Sequence, residues 1–192
     1  MSTDSILAHS TRAAVFLDRD GVINENRPDY VRSTQELEIF PAALRAIARL
    51  AQSKYAAVII TNQSAIGRGL VPAATVAQIN RSLLQRIRAE GGRIDRLYLC
   101  PHSPAAECEC RKPRPGMLLQ AAKDLRLNLS RSWLIGDWLT DLQAASAAGV
   151  RPILVATGRG QEAYRQLTSA GFGHTPCLTD LAEAVEHILA AT

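Results

Sequence analysis

The sequence of 192 residues predicts a single α/β domain, in which helices cover both faces of a doubly wound, Rossmann-like parallel sheet. Three observations support this fold class. Several short apolar runs lack the alternation of a half-buried strand, which indicates strands that are buried on both faces. Segments with helical spacing of apolar residues separate these runs, as expected for parallel strands joined by crossover helices. The runs end in polar or glycine-containing loops, the place where open α/β sheets bind ligands.

The first half of the chain predicts three strands and two helices. The strands cover residues 13–17, 56–60 and 94–99, and the helices cover residues 41–51 and 72–90. Each helix opens at a proline, which fits the first turn because its missing N–H is not needed there. Residues 67–69 contain two glycines and predict a flexible turn.

The second half continues the same alternation. We predict a helix over residues 115–126, a strand over 132–135, a helix up to Gly149, a strand over 152–156 and a last helix from Thr179. No repeat, linker or low-complexity segment interrupts the pattern. The single domain therefore spans residues 1–192, with residues 1–12 as a flexible extension and no separate cap domain.

Composition narrows the class of protein. Hydrophobic residues make up 47% of the chain, the net charge is +4 and the pI is about 9.1. No apolar run is long enough to span a membrane, and the N-terminus lacks the plan of a secretory signal, so we expect a cytoplasmic protein without a membrane partner. We also expect a monomer. The mild positive charge suits a phosphorylated substrate or nucleic acid. Alternatively, it reflects an ordinary protein surface without a charged partner. The basic residues are scattered without interleaved aromatic residues, which argues against nucleic acid.

Two aspartates, Asp18 and Asp20, follow the first predicted strand. The strand period of two points both side chains in the same direction at the carboxyl end of the sheet. Two neighbouring carboxylates repel each other unless a cation lies between them, so the pair predicts a divalent metal. The alternative is a polar exit from the strand without a ligand.

Other strands end in groups that complement this pair. Thr61 follows the second strand, Asp137 follows the fourth, and Lys112 follows a cysteine-rich loop. A carboxylate nucleophile, a metal site, a hydroxyl and a cation together favour phosphoryl transfer through an aspartyl phosphate. Taken singly, Thr61 could be a strand-end cap, Lys112 a surface lysine and Asp141 a surface acid.

A cluster of three cysteines and one histidine predicts a zinc site. Such a set of four protein ligands leaves no open coordination position, which is typical of a structural zinc ion. The alternatives are free buried thiols or a disulfide. The predicted ligands are Cys100, His102, Cys108 and Cys110. We interpret the remaining cysteine, Cys177, as a core residue and His9, His174 and His187 as ordinary surface or core histidines.

Four motifs in order carry a family resemblance: Asp-Arg-Asp-Gly-Val from Asp18, Thr-Asn-Gln-Ser from Thr61, Arg-Lys-Pro from Arg111, and Gly-Asp-x-x-x-Asp from Gly136. The chain resembles uncapped phosphatases of the haloacid dehalogenase (HAD) superfamily over residues 13–160. The resemblance implies that Asp18 attacks phosphorus, while Asp20 protonates the leaving group and then activates water. It also implies that Thr61 and Lys112 hold the phosphoryl oxygens.

The same resemblance implies a magnesium site. The Asp18 carboxylate, the Asp20 main-chain carbonyl and Asp137 would bind Mg²⁺, and Asp141 would support it from outside the coordination sphere. The structural Zn²⁺ would brace the loop that carries Arg111.

Within the superfamily, residues 61–69 and 111–117 resemble those of heptose bisphosphate phosphatases. This implies removal of the 7-phosphate of D-glycero-D-manno-heptose 1,7-bisphosphate, a small sugar phosphate, in the synthesis of nucleotide-activated heptose for lipopolysaccharide or other surface glycans. Alternatives are histidinol-phosphate phosphatase, then DNA 3′-phosphatase, and an inactive zinc-braced binding protein. Trp138 departs from the lysine that often follows the aspartate of the fourth motif, and Ala65 departs from a glycine. The implied substrate-binding residues are Asn26, Tyr30, Asn62, Gln63, Ser64, Arg68 and Arg111.

Overall fold

A computed structural model describes residues 12–191, and its strands form one six-stranded parallel sheet. The strands are β1 (Ala14–Leu17), β2 (Ala56–Asn62), β3 (Arg96–Cys100), β4 (Trp133–Gly136), β5 (Arg151–Val155) and β6 (Cys177–Leu178). Their order across the sheet is β3-β2-β1-β4-β5-β6. The chain thus winds outward from β1 in both directions, which confirms the predicted doubly wound fold.

Helices cover both faces of the sheet. They are α1 (Pro41–Ala51), α2 (Ser64–Gly67), α3 (Ala73–Ala89), α4 (Gly116–Leu125), α5 (Leu139–Ala147), α6 (Gly160–Tyr164) and α7 (Leu181–Ala190). Alternate residues of each central strand point to opposite faces. Leu17 of β1 packs in the core beneath α1, α3 and α7, whereas Phe16 packs in the core beneath α4 and α5. The central strands are therefore apolar throughout because both faces are covered.

Most predicted boundaries agree with the structure to within two residues, and the differences have local causes. Strand β2 continues through Thr61 and Asn62, because it pairs with β3 up to Cys100. The predicted turn at residues 67–69 is wrong in part, since Gly67 is the last residue of α2. Helix α7 begins after Asp180, whose side chain accepts hydrogen bonds from the N–H groups of Ala182 and Glu183.

The prediction that Cys177 is a core residue is wrong. Cys177 is exposed and begins β6, the two-residue strand at the edge of the sheet. An edge strand has a neighbour on one side only, so a cysteine there need not be buried.

The described residues place no second domain over the carboxyl edge of the sheet. Between Asp20 and Thr61 they form only a loop, α1 and β2, and between Thr61 and Lys112 only α2, α3, β3, the short 3-10 helix Pro104–Ala106 and loops. None of the helices within residues 12–191 has the length and apolar character to cross a membrane. The predicted flexible extension and His9 lie outside the described residues, apart from Arg12, which forms an ion pair of 3.2 Å with Asp95.

Candidate active site

The polar residues that follow the central strands meet in one cleft of about 630 Å³. Asp18 follows β1, Thr61 lies near the end of β2, Asp137 follows β4, and Lys112 comes from the loop between β3 and α4. The cleft is lined by Asp18, Asp20, Asn26, Arg27, Pro28, Tyr30, Thr61, Asn62, Arg111, Lys112, Asp137, Trp138, Thr140, Asp141, Gly158 and Arg159. We call the largely buried group of Asp18, Lys112, Asp137 and Asp141 the cleft floor.

Lys112 is the central cation of the cleft floor. Its Nζ lies 2.8 Å from Oδ1 of Asp18, 2.7 Å from Oδ1 of Asp141 and 3.0 Å from the carbonyl oxygen of Ile60. Burial acts to lower the pKa of Lys112, but the charges of Asp141 and Asp18 outweigh it and raise the pKa. The lysine is therefore a buried cation and not a surface residue.

One oxygen of Asp18 remains available. Oδ1 contacts Lys112 and also accepts a hydrogen bond of 2.7 Å from the backbone N–H of Arg19. Both contacts fix the direction of the carboxylate and leave Oδ2 for a substrate or a cation. This is the arrangement that a nucleophilic carboxylate requires.

Three carboxylates of the cleft floor offer oxygen atoms that lie within 4.8 Å of one another, those of Asp18, Asp137 and Asp141. Burial raises the pKa of Asp18 to about 7, and Lys112 opposes it only in part. Burial, followed by the charges of Asp18 and Asp141, raises the pKa of Asp137 to about 8. One lysine cannot neutralise three buried carboxylates, so the donor set fits a divalent cation that prefers oxygen ligands, such as Mg²⁺.

Glycines hold Asp137 in place. A Cβ atom at Gly21 or Gly158 would overlap Oδ2 of Asp137, and both glycines have positive φ angles, +87° and +57°. The backbone N–H of Arg159 donates a hydrogen bond of 2.8 Å to the same oxygen. Two loops thus close on this carboxylate because their glycines have no side chain.

Asp20 is held by a buried arginine that sequence reasoning missed. Nη2 of Arg19 lies 2.8 Å and 2.9 Å from the two oxygens of Asp20, and Nη1 donates to Oδ1 of Asn80 in α3. Burial acts to raise the pKa of Asp20, but Arg19 and hydrogen bonds from Asn24 and Gln63 outweigh it, so the pKa is lowered. Only the position of Arg19 between the two aspartates could have suggested this contact.

The side-chain amide of Gln63 links two of the predicted catalytic residues. It donates hydrogen bonds of 2.8 Å to Oδ2 of Asp20 and to Oγ1 of Thr61. Gln63 is buried and lies behind the cleft lining. The Thr61 hydroxyl is therefore oriented by a side chain and does not cap the strand end.

The cleft contains four of the seven predicted substrate-binding residues. Asn26, Tyr30, Asn62 and Arg111 line it, whereas Gln63, Ser64 and Arg68 do not. The amide of Asn62 also forms two hydrogen bonds of 3.1 Å with the backbone of Lys112, one to its carbonyl and one from its N–H. Trp138, which follows β4, and Arg159, which follows β5, also line the cleft. The sequence predicted no substrate role for either residue.

The second predicted site, the Cys-His cluster, is assembled from Cys100, His102, Cys108 and Cys110. Neighbouring donor atoms lie 3.3–3.6 Å apart, from His102 Nδ1 to Cys110 Sγ at 3.3 Å and from Cys100 Sγ to His102 Nδ1 at 3.6 Å. Ligands around a tetrahedral zinc ion are separated by roughly 3.3–3.8 Å, given its bond lengths. All the cysteines are free, and sulfur atoms 3.5 Å apart are not a disulfide. The cluster fits Zn²⁺.

This cluster is connected to α2 at one end and to two cations of the cleft at the other. The N–H of Gly67 in α2 donates to the carbonyl of Pro101, and a Cβ atom at Gly67 would overlap the backbone at Ser103. Cys110 is followed directly by Arg111 and Lys112. The conformation of the cluster therefore sets the position of both cations.

Comparison with protein families gives two matches. The model for polynucleotide kinase 3 phosphatase matches residues 14–146, and the HAD-hydrolase-like model matches residues 109–184. Together they cover the described strands and the whole cleft. The predicted HAD-type phosphatase fold is confirmed.

Individual relatives define the family more closely. A D-glycero-beta-D-manno-heptose-1,7-bisphosphate 7-phosphatase from Bordetella bronchiseptica is 40% identical over 176 residues, which cover 91% of this chain and 97% of the relative. The chain belongs to the heptose bisphosphate phosphatase family of HAD-type phosphatases. A relative of the same name from Pseudomonas aeruginosa is 40% identical over 150 residues, covering 78% of this chain and 84% of the relative.

Solved structures of family members agree with this fold. D,D-heptose 1,7-bisphosphate phosphatase from B. bronchiseptica, complexed with magnesium and phosphate, matches with a TM-score of 0.87 and 39% identity, covering 94% of this chain and 99% of that one. The enzyme from Burkholderia thailandensis matches with a TM-score of 0.72 and 34% identity, over 93% and 99% of the two chains.

Proposed function

We propose that this protein is a magnesium-dependent phosphomonoesterase that removes the 7-phosphate of D-glycero-beta-D-manno-heptose 1,7-bisphosphate. The observation that carries the proposal is the cleft floor, found in a chain that is 40% identical to an enzyme of that name over nearly its full length. The beta anomer is proposed because the relatives carry it in their names.

Asp18 is the proposed nucleophile. Its Oδ2 forms a bond to phosphorus as the bond to the sugar oxygen breaks, which leaves an aspartyl phosphate. The Lys112 ammonium and the Thr61 hydroxyl hold the phosphoryl oxygens. Both groups are fixed before substrate binds, Lys112 by Asp18 and Asp141 and Thr61 by Gln63, so little reorganisation is needed during the reaction.

Asp20 is the proposed acid and base. Its pKa is lowered in the free protein, which keeps it ionised. A bound phosphate adds negative charge beside it and raises the pKa again, so the acid form becomes accessible when the leaving sugar oxygen needs a proton. After the sugar leaves, the ionised carboxylate takes a proton from the water that attacks the aspartyl phosphate.

Magnesium would be held by the Asp18 carboxylate, the Asp20 main-chain carbonyl and Asp137. When bound, it offsets the charge of the phosphate group and orients it for attack. Asp141 supports the site from behind, because it is buried, pairs with Lys112 and accepts a hydrogen bond of 3.1 Å from the N–H of Trp138.

We also propose that the Cys-His cluster holds a structural Zn²⁺ and that residues 1–192 are one domain.

A second candidate activity is DNA 3′-phosphatase. The family model for polynucleotide kinase 3 phosphatase matches residues 14–146, which include all the proposed catalytic residues. This match is explained by the chemistry of phosphate transfer, which both activities share. The 40% identity to heptose bisphosphate phosphatases over most of their length favours the sugar phosphate as substrate.

The test is phosphate release, with magnesium, from both anomers of heptose 1,7-bisphosphate, histidinol phosphate and a 3′-phosphorylated oligonucleotide. We expect kcat/KM for the beta bisphosphate to exceed that for histidinol phosphate and the oligonucleotide by about 100-fold or more. Asp18→Asn is the blank for contaminating phosphatases. A preference for the oligonucleotide would establish the second candidate, and a preference for histidinol phosphate would contradict both.

A further inference from the structure

The arginines at the mouth of the cleft differ in how far other residues neutralise them. Arg27, Arg111 and Arg159 line the cleft. The Arg27 guanidinium lies within 4.0 Å of three carboxylates, those of Asp29, Glu36 and Glu38. Its positive charge is therefore already balanced by its own loop.

Lys112 does not reach a second phosphate either. Its ammonium group is buried on the cleft floor, 2.8 Å from Asp18 and 2.7 Å from Asp141, where the reacting phosphate would bind. A sugar bisphosphate places one phosphate on the cleft floor and needs a cation at some distance for the other. The two remaining cleft arginines are Arg111, which follows the Cys-His cluster, and Arg159, which follows β5.

Arg159 is fixed at both of its ends. Its backbone N–H donates to Asp137, as described above, and its guanidinium carbon lies 3.4 Å from the centre of the Trp138 ring. In this arrangement the ring contacts the face of the guanidinium, so its N–H donors point outward along the edge. The only carboxylate recorded beside it in the described chain is Glu162, at 3.4 Å, in an exposed pair that is weakened by solvent.

We propose that Arg159, held by Trp138, binds the unreactive second phosphate of a sugar bisphosphate and so determines specificity for bisphosphates. A guanidinium edge forms two parallel hydrogen bonds with a phosphate, and a side chain already held in place by an aromatic ring loses little freedom on binding. Trp138 acts as a positioning residue and does not itself contact the reacting atoms. This inference rests on the proposed function, since only a bisphosphate substrate has a second phosphate to bind.

The test compares heptose 1,7-bisphosphate with heptose 7-phosphate, the same sugar without the second phosphate. For Arg159→Gln we expect KM for the bisphosphate to rise about tenfold or more while kcat stays within about twofold. The kinetic constants for the monophosphate should change much less than those for the bisphosphate, so the preference for the bisphosphate should collapse. Inhibition by heptose 1-phosphate, the product that retains the second phosphate, should weaken by a similar factor.

Three further variants define the role of each residue. Trp138→Leu should lose part of the preference and Trp138→Phe should keep most of it, because phenylalanine retains a ring under the guanidinium. Arg165→Gln is the matched control, since Arg165 is exposed and lies outside the cleft lining. This variant removes the same charge and should leave kcat and KM unchanged for both substrates.

The outcomes separate this inference from the proposed function. A wild-type enzyme without any preference for the bisphosphate over the other phosphomonoesters would overturn both. A wild-type preference that survives in Arg159→Gln would overturn the inference alone. An equal loss for the bisphosphate and the monophosphate would also overturn it, because it would show that Arg159 acts only by supporting Asp137.

Discussion

The cleft floor and the Cys-His cluster are two candidate metal sites that the chain builds in different ways. The floor collects Asp18, Lys112 and Asp137 from loops that follow three different strands, and their side chains are almost fully enclosed. The cluster takes all four of its donors from one short stretch, and most of them are partly exposed. The donors of the cluster are close in sequence, whereas those of the floor are close only in the folded sheet.

The difference indicates what each metal would contribute. The sheet and its core position the residues of the floor, and Lys112 joins two of its carboxylates without a metal. Magnesium there should matter for chemistry more than for folding. The loop of the cluster has little core of its own, so zinc should contribute to its conformation and, through it, to the position of Arg111. The predictions below test this division, starting with the largest expected effect.

Replacement of the nucleophile should affect chemistry and not folding. For Asp18→Asn we expect kcat to fall by about 10⁴-fold or more, because the amide cannot form the aspartyl phosphate. Thermal unfolding should show a folded protein, and metal analysis should show an unchanged zinc content. The matched control, Asp124→Asn, changes an exposed aspartate of α4 outside the cleft and should retain full activity. A residual rate above about a tenth of wild type would exclude Asp18 as the nucleophile.

Removal of a zinc ligand should affect both catalysis and folding. For Cys108→Ser we expect loss of zinc, a lower melting temperature and a fall in kcat/KM of about 10- to 100-fold, because Arg111 and Lys112 follow the cluster directly. Metal analysis, thermal unfolding and kinetics measure the three effects. Cys177→Ser is the control, since Cys177 lies in β6 and away from the cluster. Full activity in a zinc-free Cys108→Ser protein would show that the floor does not depend on the cluster.

Asn62 connects β2 with the backbone of Lys112. For Asn62→Leu we expect kcat/KM to fall about tenfold, because the backbone N–H and carbonyl of Lys112 both lose their partner. Zinc content should stay unchanged, which separates this variant from Cys108→Ser. Asn62→Asp retains the oxygen that accepts from Lys112 and should have an intermediate activity. Equal activities for the two variants would argue against this role.

The smallest effect concerns pH and stability without magnesium. Folded Asp18 and Asp137 keep their protons up to about pH 7 and about pH 8, whereas unfolded aspartates lose theirs near the ordinary value of 3.8. Between pH 3.8 and about pH 8 the folded protein therefore binds more protons than the unfolded chain does. Its free energy of unfolding consequently falls as pH rises through this range. Bound magnesium would offset the repulsion between the ionised carboxylates.

We therefore expect magnesium to raise the melting temperature by about 3 °C or more near pH 9 and by less near pH 6. Thermal unfolding with and without magnesium at the two pH values measures this. The Asp18→Asn variant serves as the control and should show a smaller dependence on pH. A larger magnesium effect at the lower pH would contradict the assignment of the raised pKa values.

Much of this architecture could be predicted because it depends on patterns within short segments. The apolar run before Asp18 indicates a buried strand, and parallel strands bring Asp18, Thr61 and Asp137 to one edge. The spacing of cysteines and histidine predicts the cluster without any tertiary information. The order of the four motifs then predicts the family, which the comparisons confirm.

The contacts that could not be predicted join distant segments or contradict residue preferences. Arginine is rarely buried, so the sequence gives no reason to place Arg19 behind Asp20. The bonds between Asn62 and Lys112 depend on how the Cys-His loop returns to β2. The contact of Arg159 with Trp138 depends on the side chains of two separate loops. Cys177 lies in a two-residue edge strand, which is too short to show a pattern.

The most direct test of the central claim is detection of the aspartyl phosphate. Magnesium and heptose 1,7-bisphosphate would be mixed with the Asp20→Asn variant, quenched in acid, digested and analysed by mass spectrometry. This variant lacks both the acid of the first step and the base of the second, so wild-type enzyme quenched during turnover is analysed beside it. We predict that the peptide containing Asp18 gains the mass of one phosphoryl group in at least one of the two proteins, and that Asp18→Asn gains none. Turnover by the wild-type enzyme without any phosphorylated peptide, or with the phosphoryl group on Asp137, would contradict the account.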